Sequence, residues 1–391
     1  MSNKRIGILT GGGDVPGLNS VIKSVVYSAS AQPGYEVIGL RRGWEALTHM
    51  DISAEMDPDY VLPLDRINTR SIDRYGGTFL HTSRTKPSKM KADRLPDHVQ
   101  ARLKRAKELG DGLFDLTPLV LENIERLKLD WLVAIGGDDT LSYAAELNRQ
   151  GFPVVAVPKT MDNDVRNTEY CIGFSTALTR ASDAITRQRT TIGSHERIGV
   201  FRIFGRDAGF TALYTAYVTS ARCCIPEVEF DVHKVIDLLV ADKRSNPSRY
   251  ALIILSEGAT WKGYQLQEYG EPDAYGHRKK VSVAEAFAEA VKQISGEECI
   301  VSDLTYDLRS GEPAILDRMV ATTFANMAVE CILANGPGRM MAIRNGCYTD
   351  TDIPDPELGP RTVDVANMYN VERFRPSYKV EPGTPIFLTR V

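Results

Sequence analysis

Apolar residues along this chain follow two alternating periods. Residues 5–10 form a short apolar run, three glycines break it, and Val21, Ile22, Val25, Val26 and Ala29 then recur at helical spacing within 19–29. Strand, tight turn and helix form the predicted unit. It repeats as strands over 35–40, 131–135 and 153–157, with helices over 120–127 and 141–148. A second series follows: helix 177–189, strand 198–204, an alanine-rich helix from Ala212, strand 250–255, helix 283–294, strand 300–304 and a long helical pattern over 315–333. Strands separated by whole helices pair in parallel, because a parallel neighbour needs a long crossover connection.

The predicted class is therefore α/β: two doubly wound, three-layer lobes with mainly parallel sheets and a site in the cleft between them. The lobes are expected at 1–174 plus about 307–353 and at 175–306 plus about 354–391, the Pro- and Tyr-rich tail packing back on the body.

Composition narrows the function classes. With 43% hydrophobic and 25% charged residues the 391-residue chain reads as an ordinary globular enzyme. Its 47 Lys and Arg nearly balance 51 Asp and Glu, so a net charge of −4 exerts no general pull on nucleic acid or an anionic membrane. No stretch has membrane-spanning length, and residues 1–13 lack the apolar run of a secretory signal, so a cytoplasmic protein is expected. The six cysteines, at 171, 223, 224, 299, 331 and 347, form no C-x-x-C pair and are expected to be reduced. Adjacent Cys223 and Cys224 read as small buried hydrophobes rather than a reactive pair. Residues 84–111 carry nine Lys and Arg against four Asp and Glu. That stretch reads as a solvated helical insertion before it reads as an anion collector.

Three clusters at successive strand ends carry candidate chemistry. Gly11-Gly12-Gly13-Asp14 joins a strand to a helix, where backbone N–H groups and the helix dipole favour an oxyanion. Taken alone it is ambiguous, since Gly11, Gly13 and Gly17 with Arg41 and Arg42 imitate an NADP fingerprint and leave an oxidoreductase as a rival. The second cluster, Gly136-Gly137-Asp138-Asp139-Thr140, puts two carboxylates at the carboxyl edge of a parallel sheet, where magnesium is held with substrate phosphates. A helix cap explains one of these acids but not both. The third, Pro158-Lys159-Thr160-Met161-Asp162-Asn163-Asp164, offers a cation, a hydroxyl and two carboxylates, the groups that phosphoryl transfer needs.

With these motifs in order, followed by IGF-x-TA at 172–177, FGRDAG at 204–209, LSEGA at 255–259 and LRSGEP at 308–313, the chain resembles the phosphofructokinase family over most of its length. The resemblance implies that Gly12 meets the donor phosphate, Asp138 holds Mg2+ and Asp162 accepts the sugar hydroxyl proton, supported by Thr160 and Asp164. Arg206 would stabilise the moving phosphoryl group. Phe204, Gly205, Glu257, Tyr306 and Arg309 would bind the sugar phosphate. Arg197 matches an arginine lent to a neighbouring subunit's site, which implies a homodimer or homotetramer. Outside their motifs, Arg197, Glu257 and Arg309 would read as surface charges and Tyr306 as packing.

Family members that use ATP usually carry glycine where this chain has Asp139 and Lys159, so the resemblance leans toward the pyrophosphate-dependent branch. Charge agrees: a carboxylate repels a nucleotide's phosphates while Lys159 offers a point charge to pyrophosphate. An Asp139–Lys159 ion pair that leaves ATP use intact is the alternative. The arginine expected six residues before Tyr306 is Ile300 here. Fructose 6-phosphate is the first acceptor read, with sedoheptulose 7-phosphate as an alternative and a non-catalytic phosphosugar-binding protein as a further class.

Overall fold

The computed structural model describes residues 3–53, 56–264, 268–271, 279–280, 282–377 and 380–385. Its principal strands are β1 (Lys4–Thr10), β2 (Tyr35–Leu40), β3 (Val61–Leu64), β4 (Trp131–Gly136), β5 (Val154–Pro158), β6 (Ile198–Ile203), β7 (Arg222–Cys224), β8 (Ala251–Ser256), β9 (Cys299–Leu304), β10 (Arg339–Arg344) and β11 (Cys347–Asp352). One sheet has the order β11-β10-β5-β4-β1-β2-β3, parallel throughout except for an antiparallel strand at each edge. The other has the order β7-β8-β6-β9 and is all parallel.

The period-2 pattern explains why the first sheet is covered on both faces. Along β4, Trp131, Val133 and Ile135 join the large core that continues into the second sheet, while Leu132 and Ala134 join a separate cluster with Trp44, Val120 and Tyr143. Strands apolar on both sides must lie between helical layers. The order 5-4-1-2 in the first sheet places β1 and β4 side by side, so the turns after them open at one edge. Ligands bind at such edges of open parallel sheets.

Two expectations change. Residues 84–111 are not a helical insertion: strands Met90–Lys91, Lys107–Gly110 and Leu113–Asp115 form a small antiparallel sheet, with one short α-helix, Asp97–Gln100, between 3-10 turns at Ala92–Arg94 and Leu103–Arg105. Met90, Leu95, Val99, Leu116 and Leu119 give that unit an apolar cluster of its own, which the surrounding lysines and arginines mask in the sequence. The helix expected over 177–189 runs over Phe174–Ser194. Its early start is capped from far away, because buried Asp317 accepts hydrogen bonds from Gly173 N, Thr176 N and Thr176 Oγ1.

The described part of the tail packs on the body. Tyr369 donates its hydroxyl hydrogen to Cys223 O, and Cys223 N donates to Phe374 O. Cys223 and Cys224 are buried in β7 as small core residues, with thiols pushed up by burial. Among the described residues no helix is long and apolar enough to cross a membrane.

Candidate active site

The turn after β1 folds tightly because Gly12 adopts φ +78°, a region that L side chains avoid. Gly11 N donates to Ile135 O at the end of β4, and Gly12 N donates to Ser83 O. The N–H of Gly12 is thus used inside the fold, so Gly12 serves the turn's shape rather than offering a free donor. Thr82 Oγ1 closes the arrangement by donating to Gly12 O at 2.6 Å.

Lys159 lies beneath this turn, only 4% exposed. Its Nζ donates to Gly13 O at 2.7 Å, so its ammonium faces the glycines. Burial first, and then the cations Arg309 and Arg84, push Lys159 down to about 8 despite the opposing charge of Asp14. Arg84 belongs to the basic stretch whose chemistry the sequence left diffuse, and the fold brings its charge to the donor turn. Arg309 packs there as well. Its Nε is 3.7 Å from Asp14 Oδ1, and its guanidinium stands 4.8 Å from the Tyr306 ring centroid. Tyr306 in turn meets Phe204 edge to face, with centroids 6.0 Å apart. The residues expected at the acceptor phosphate therefore form one cluster whose arginine also touches the donor turn.

Asp138 and Asp139 occupy the first turn of helix Asp138–Arg149, which starts directly after β4. Burial, then the charges of Asp164 and Asp139, push Asp138 up to about 7. Oxygen ligands gathered at a cost of mutual repulsion suit a hard cation, and Asp138 is an acid here that could hold one. Among the described residues no three His, Cys, Asp or Glu side chains form a ready cage.

Asp162 sits in the loop after β5, its N–H donating to Thr160 Oγ1 at 3.2 Å. Its Oδ1 is buried with no hydrogen-bond partner. Burial, then Asp164 and Glu257, push Asp162 up to about 8, opposed by Arg206. Burial likewise lifts Asp164 to about 6, and Arg361 opposes it. Arg206 follows β6, and its own Nε is buried without a partner. Gly205 accepts from Ser256 Oγ at 2.7 Å and from Gly258 N at 3.0 Å, which fixes the FGR segment against the turn carrying Glu257.

Two supporting residues escaped the sequence. Arg361, from the tail, donates its N–H to Asp164 O at 2.6 Å, and its guanidinium lies 4.3 Å from the Phe210 ring centroid and donates to Asn163 O. Arg202 pairs with Glu257 at 3.3 Å. Neither lies in a motif, and no local signal marks them.

Arg197 is not brought to this cluster. It precedes β6 and pairs with Glu298, whereas Phe204, Gly205 and Arg206 follow the strand's other end. Six residues of strand span roughly 20 Å. Ile300 lies on β9 opposite Gly199, partly buried against the core.

A family model described as Phosphofructokinase matches residues 5–332. A pyrophosphate–fructose 6-phosphate 1-phosphotransferase of Dictyoglomus thermophilum is 36% identical, covering 96% of this chain and 99% of that protein. An ATP-dependent 6-phosphofructokinase 3 of Streptomyces coelicolor is 34% identical over 94% of this chain and 99% of its own. A pyrophosphate-dependent phosphofructokinase from Nitrosospira multiformis shares the fold with a TM-score of 0.73, at 16% identity, covering 98% of this chain and 95% of that one.

Proposed function

The chain belongs to the phosphofructokinase family, and on that premise we propose that it transfers a phosphoryl group from pyrophosphate to fructose 6-phosphate, giving fructose 1,6-bisphosphate. The observation that carries the chemistry is Asp162, a carboxylate with one oxygen buried and unpartnered between Arg206 and Glu257. A group lifted toward neutral pH and lacking a partner is suited to accept a hydroxyl proton.

In this mechanism Glu257 and Tyr306 orient the acceptor so that its hydroxyl faces Asp162. Asp162 takes the hydroxyl proton as the oxygen attacks the terminal phosphorus of pyrophosphate, whose bridging P–O bond breaks to release inorganic phosphate. Arg206 balances charge on the phosphoryl group in transit, and Thr160 holds the Asp162 loop in shape. Arg309 meets the acceptor's phosphate from its position over the donor turn. Asp138, with Asp164 nearby, would hold Mg2+, which neutralises donor phosphate charge when bound. Residues 1–174 with about 307–353 then serve the donor and metal, and 175–306 with about 354–391 serve the sugar phosphate.

Pyrophosphate is favoured over ATP because Lys159 puts a buried cation directly under the glycine turn, while the helix after β4 opens on Asp138 and Asp139, carboxylates that disfavour a nucleotide's phosphates. The relatives carry names of both kinds, so the donor rests on these side chains. Arg197 completes a neighbouring subunit's site, since its place at the far end of β6 keeps it from its own. A matrix of pyrophosphate and ATP against fructose 6-phosphate and sedoheptulose 7-phosphate tests the proposal. Turnover highest with pyrophosphate and fructose 6-phosphate is expected, and a preference for ATP overturns the donor assignment.

A further inference from the structure

Behind Glu257 the sheet supplies a second charge. Arg202 on β6 reaches Glu257 Oε1 with Nη2 at 3.3 Å and Asp303 Oδ2 with Nη1 at 3.2 Å. Strands β6 and β9 run parallel with Arg202 and Asp303 in direct register, so this contact is set by sheet geometry rather than by a loop. Asp303 also accepts a 2.7 Å hydrogen bond from Ser282 Oγ. Ser282 precedes helix Val283–Ser295, and its hydroxyl is diverted from capping that helix. The side chains of Arg202 and Glu257 are each only 11% exposed, and Arg202 Nε is buried with no partner. Burying a guanidinium with one N–H unsatisfied works against stability, so packing alone does not account for an arginine on this strand.

We propose that Arg202 is a positioning residue for the acceptor sugar. Anchored on Asp303, it grips one oxygen of Glu257 and leaves the second to accept sugar hydroxyls. Without this grip Glu257 is free to rotate, and the neighbouring carboxylate of Asp303 repels it. The proposal rests on the reading of Glu257 as an acceptor ligand.

The test compares Arg202→Gln, Arg202→Lys, Asp303→Asn and Glu257→Gln with the wild type. KM for fructose 6-phosphate and KM for the donor are measured separately, the donor being whichever of pyrophosphate or ATP the wild type turns over. Arg202→Gln is expected to raise the acceptor KM about ten-fold or more, the scale of one charge-assisted hydrogen bond, with the donor KM unchanged. Arg202→Lys recovers part of the loss, because one ammonium can hold Glu257 without also bridging Asp303. Asp303→Asn shifts the acceptor KM in the same direction by less. A wild-type acceptor KM in Arg202→Gln, or donor and acceptor KM rising together, overturns the proposal. If Arg202→Gln fails to fold, unchanged acceptor KM in both Arg202→Lys and Asp303→Asn overturns it. Glu257→Gln with an unchanged acceptor KM would instead defeat the assignment of Glu257, leaving the two failures distinguishable.

Discussion

Lys159 Nζ donates a 2.7 Å hydrogen bond to the carbonyl oxygen of Gly13, tying the end of β5 to the turn after β1. The contact spans 146 residues of sequence and puts a buried lysine under the donor turn. Lys159→Gly should therefore weaken use of pyrophosphate, which loses its nearest fixed cation and has no adenosine contacts to compensate. Asp139→Gly should admit ATP, because like charges about 4 Å apart cost roughly 1–4 kcal/mol between the dielectric of water and that of a protein surface. The double change should move the ratio of kcat/KM for ATP over pyrophosphate further than either single change. Neighbouring effects need not add. An unchanged ratio in Asp139→Gly regroups the enzyme with ATP users.

The pH profile of kcat/KM should be a bell near pH 8. Asp162 must be ionised to accept a proton, and it is pushed up to about 8, so activity falls as pH drops below that value. Lys159 must be protonated to attract the donor, and it is pushed down to about 8, so activity falls again as pH rises above it. The limbs belong to a set of interacting groups rather than to single residues. Lys159→Arg keeps its charge at high pH and should displace only the alkaline limb upward. An alkaline limb at the same pH in that variant removes Lys159 as its cause.

Asp162→Asn should lower kcat by roughly 10²- to 10⁴-fold while leaving both KM values near wild type, the usual signature of losing a general base. Steady-state kinetics with the favoured donor decide this. Near-normal turnover takes Asp162 out of the role.

The glycines of the donor turn should separate stability from binding. A methyl on Gly11 would stand 2.5 Å from Thr140 Oγ1, a buried side chain without room to yield. Gly11→Ala is therefore expected to destabilise the fold by about 1–3 kcal/mol, the cost of overpacking. A methyl on Gly13 would stand 2.5 Å from Arg309 Nη1, the far end of a long side chain that can shift. Gly13→Ala should keep the urea midpoint of the wild type and raise KM for substrate. Equal loss of stability in both variants would refute the distinction.

Subunits carrying different defects should complement one another. Arg197→Ala and Asp162→Asn proteins, each weakly active alone, should regain activity when mixed under conditions that exchange subunits. Each hybrid site then pairs an intact Asp162 with an intact Arg197. No recovery after exchange has been demonstrated by mass spectrometry would return Arg197 to the Glu298 ion pair as its only role.

The sequence by itself determined the parallel α/β class and the three glycine- and acid-rich clusters at strand ends, because periodicity and turn chemistry act over a few residues. Even the departures, Lys159, Asp139 and Ile300, were legible as letters in a motif. Only the tertiary structure decided what those letters face. Gly12 N–H turns out to be taken by Ser83, Arg309 lies over Gly13, and Arg197 stands at the wrong end of its strand for its own site. Arg202 and Arg361 sit in no motif. They became visible once β6 met β9 in register and the tail crossed the loop bearing Asp164. The start of helix Phe174–Ser194 was likewise hidden, since its cap is a carboxylate 141 residues away in sequence from Thr176. Burial and opposing charge depend on distances in space, and chain order carries no record of them until the fold has closed.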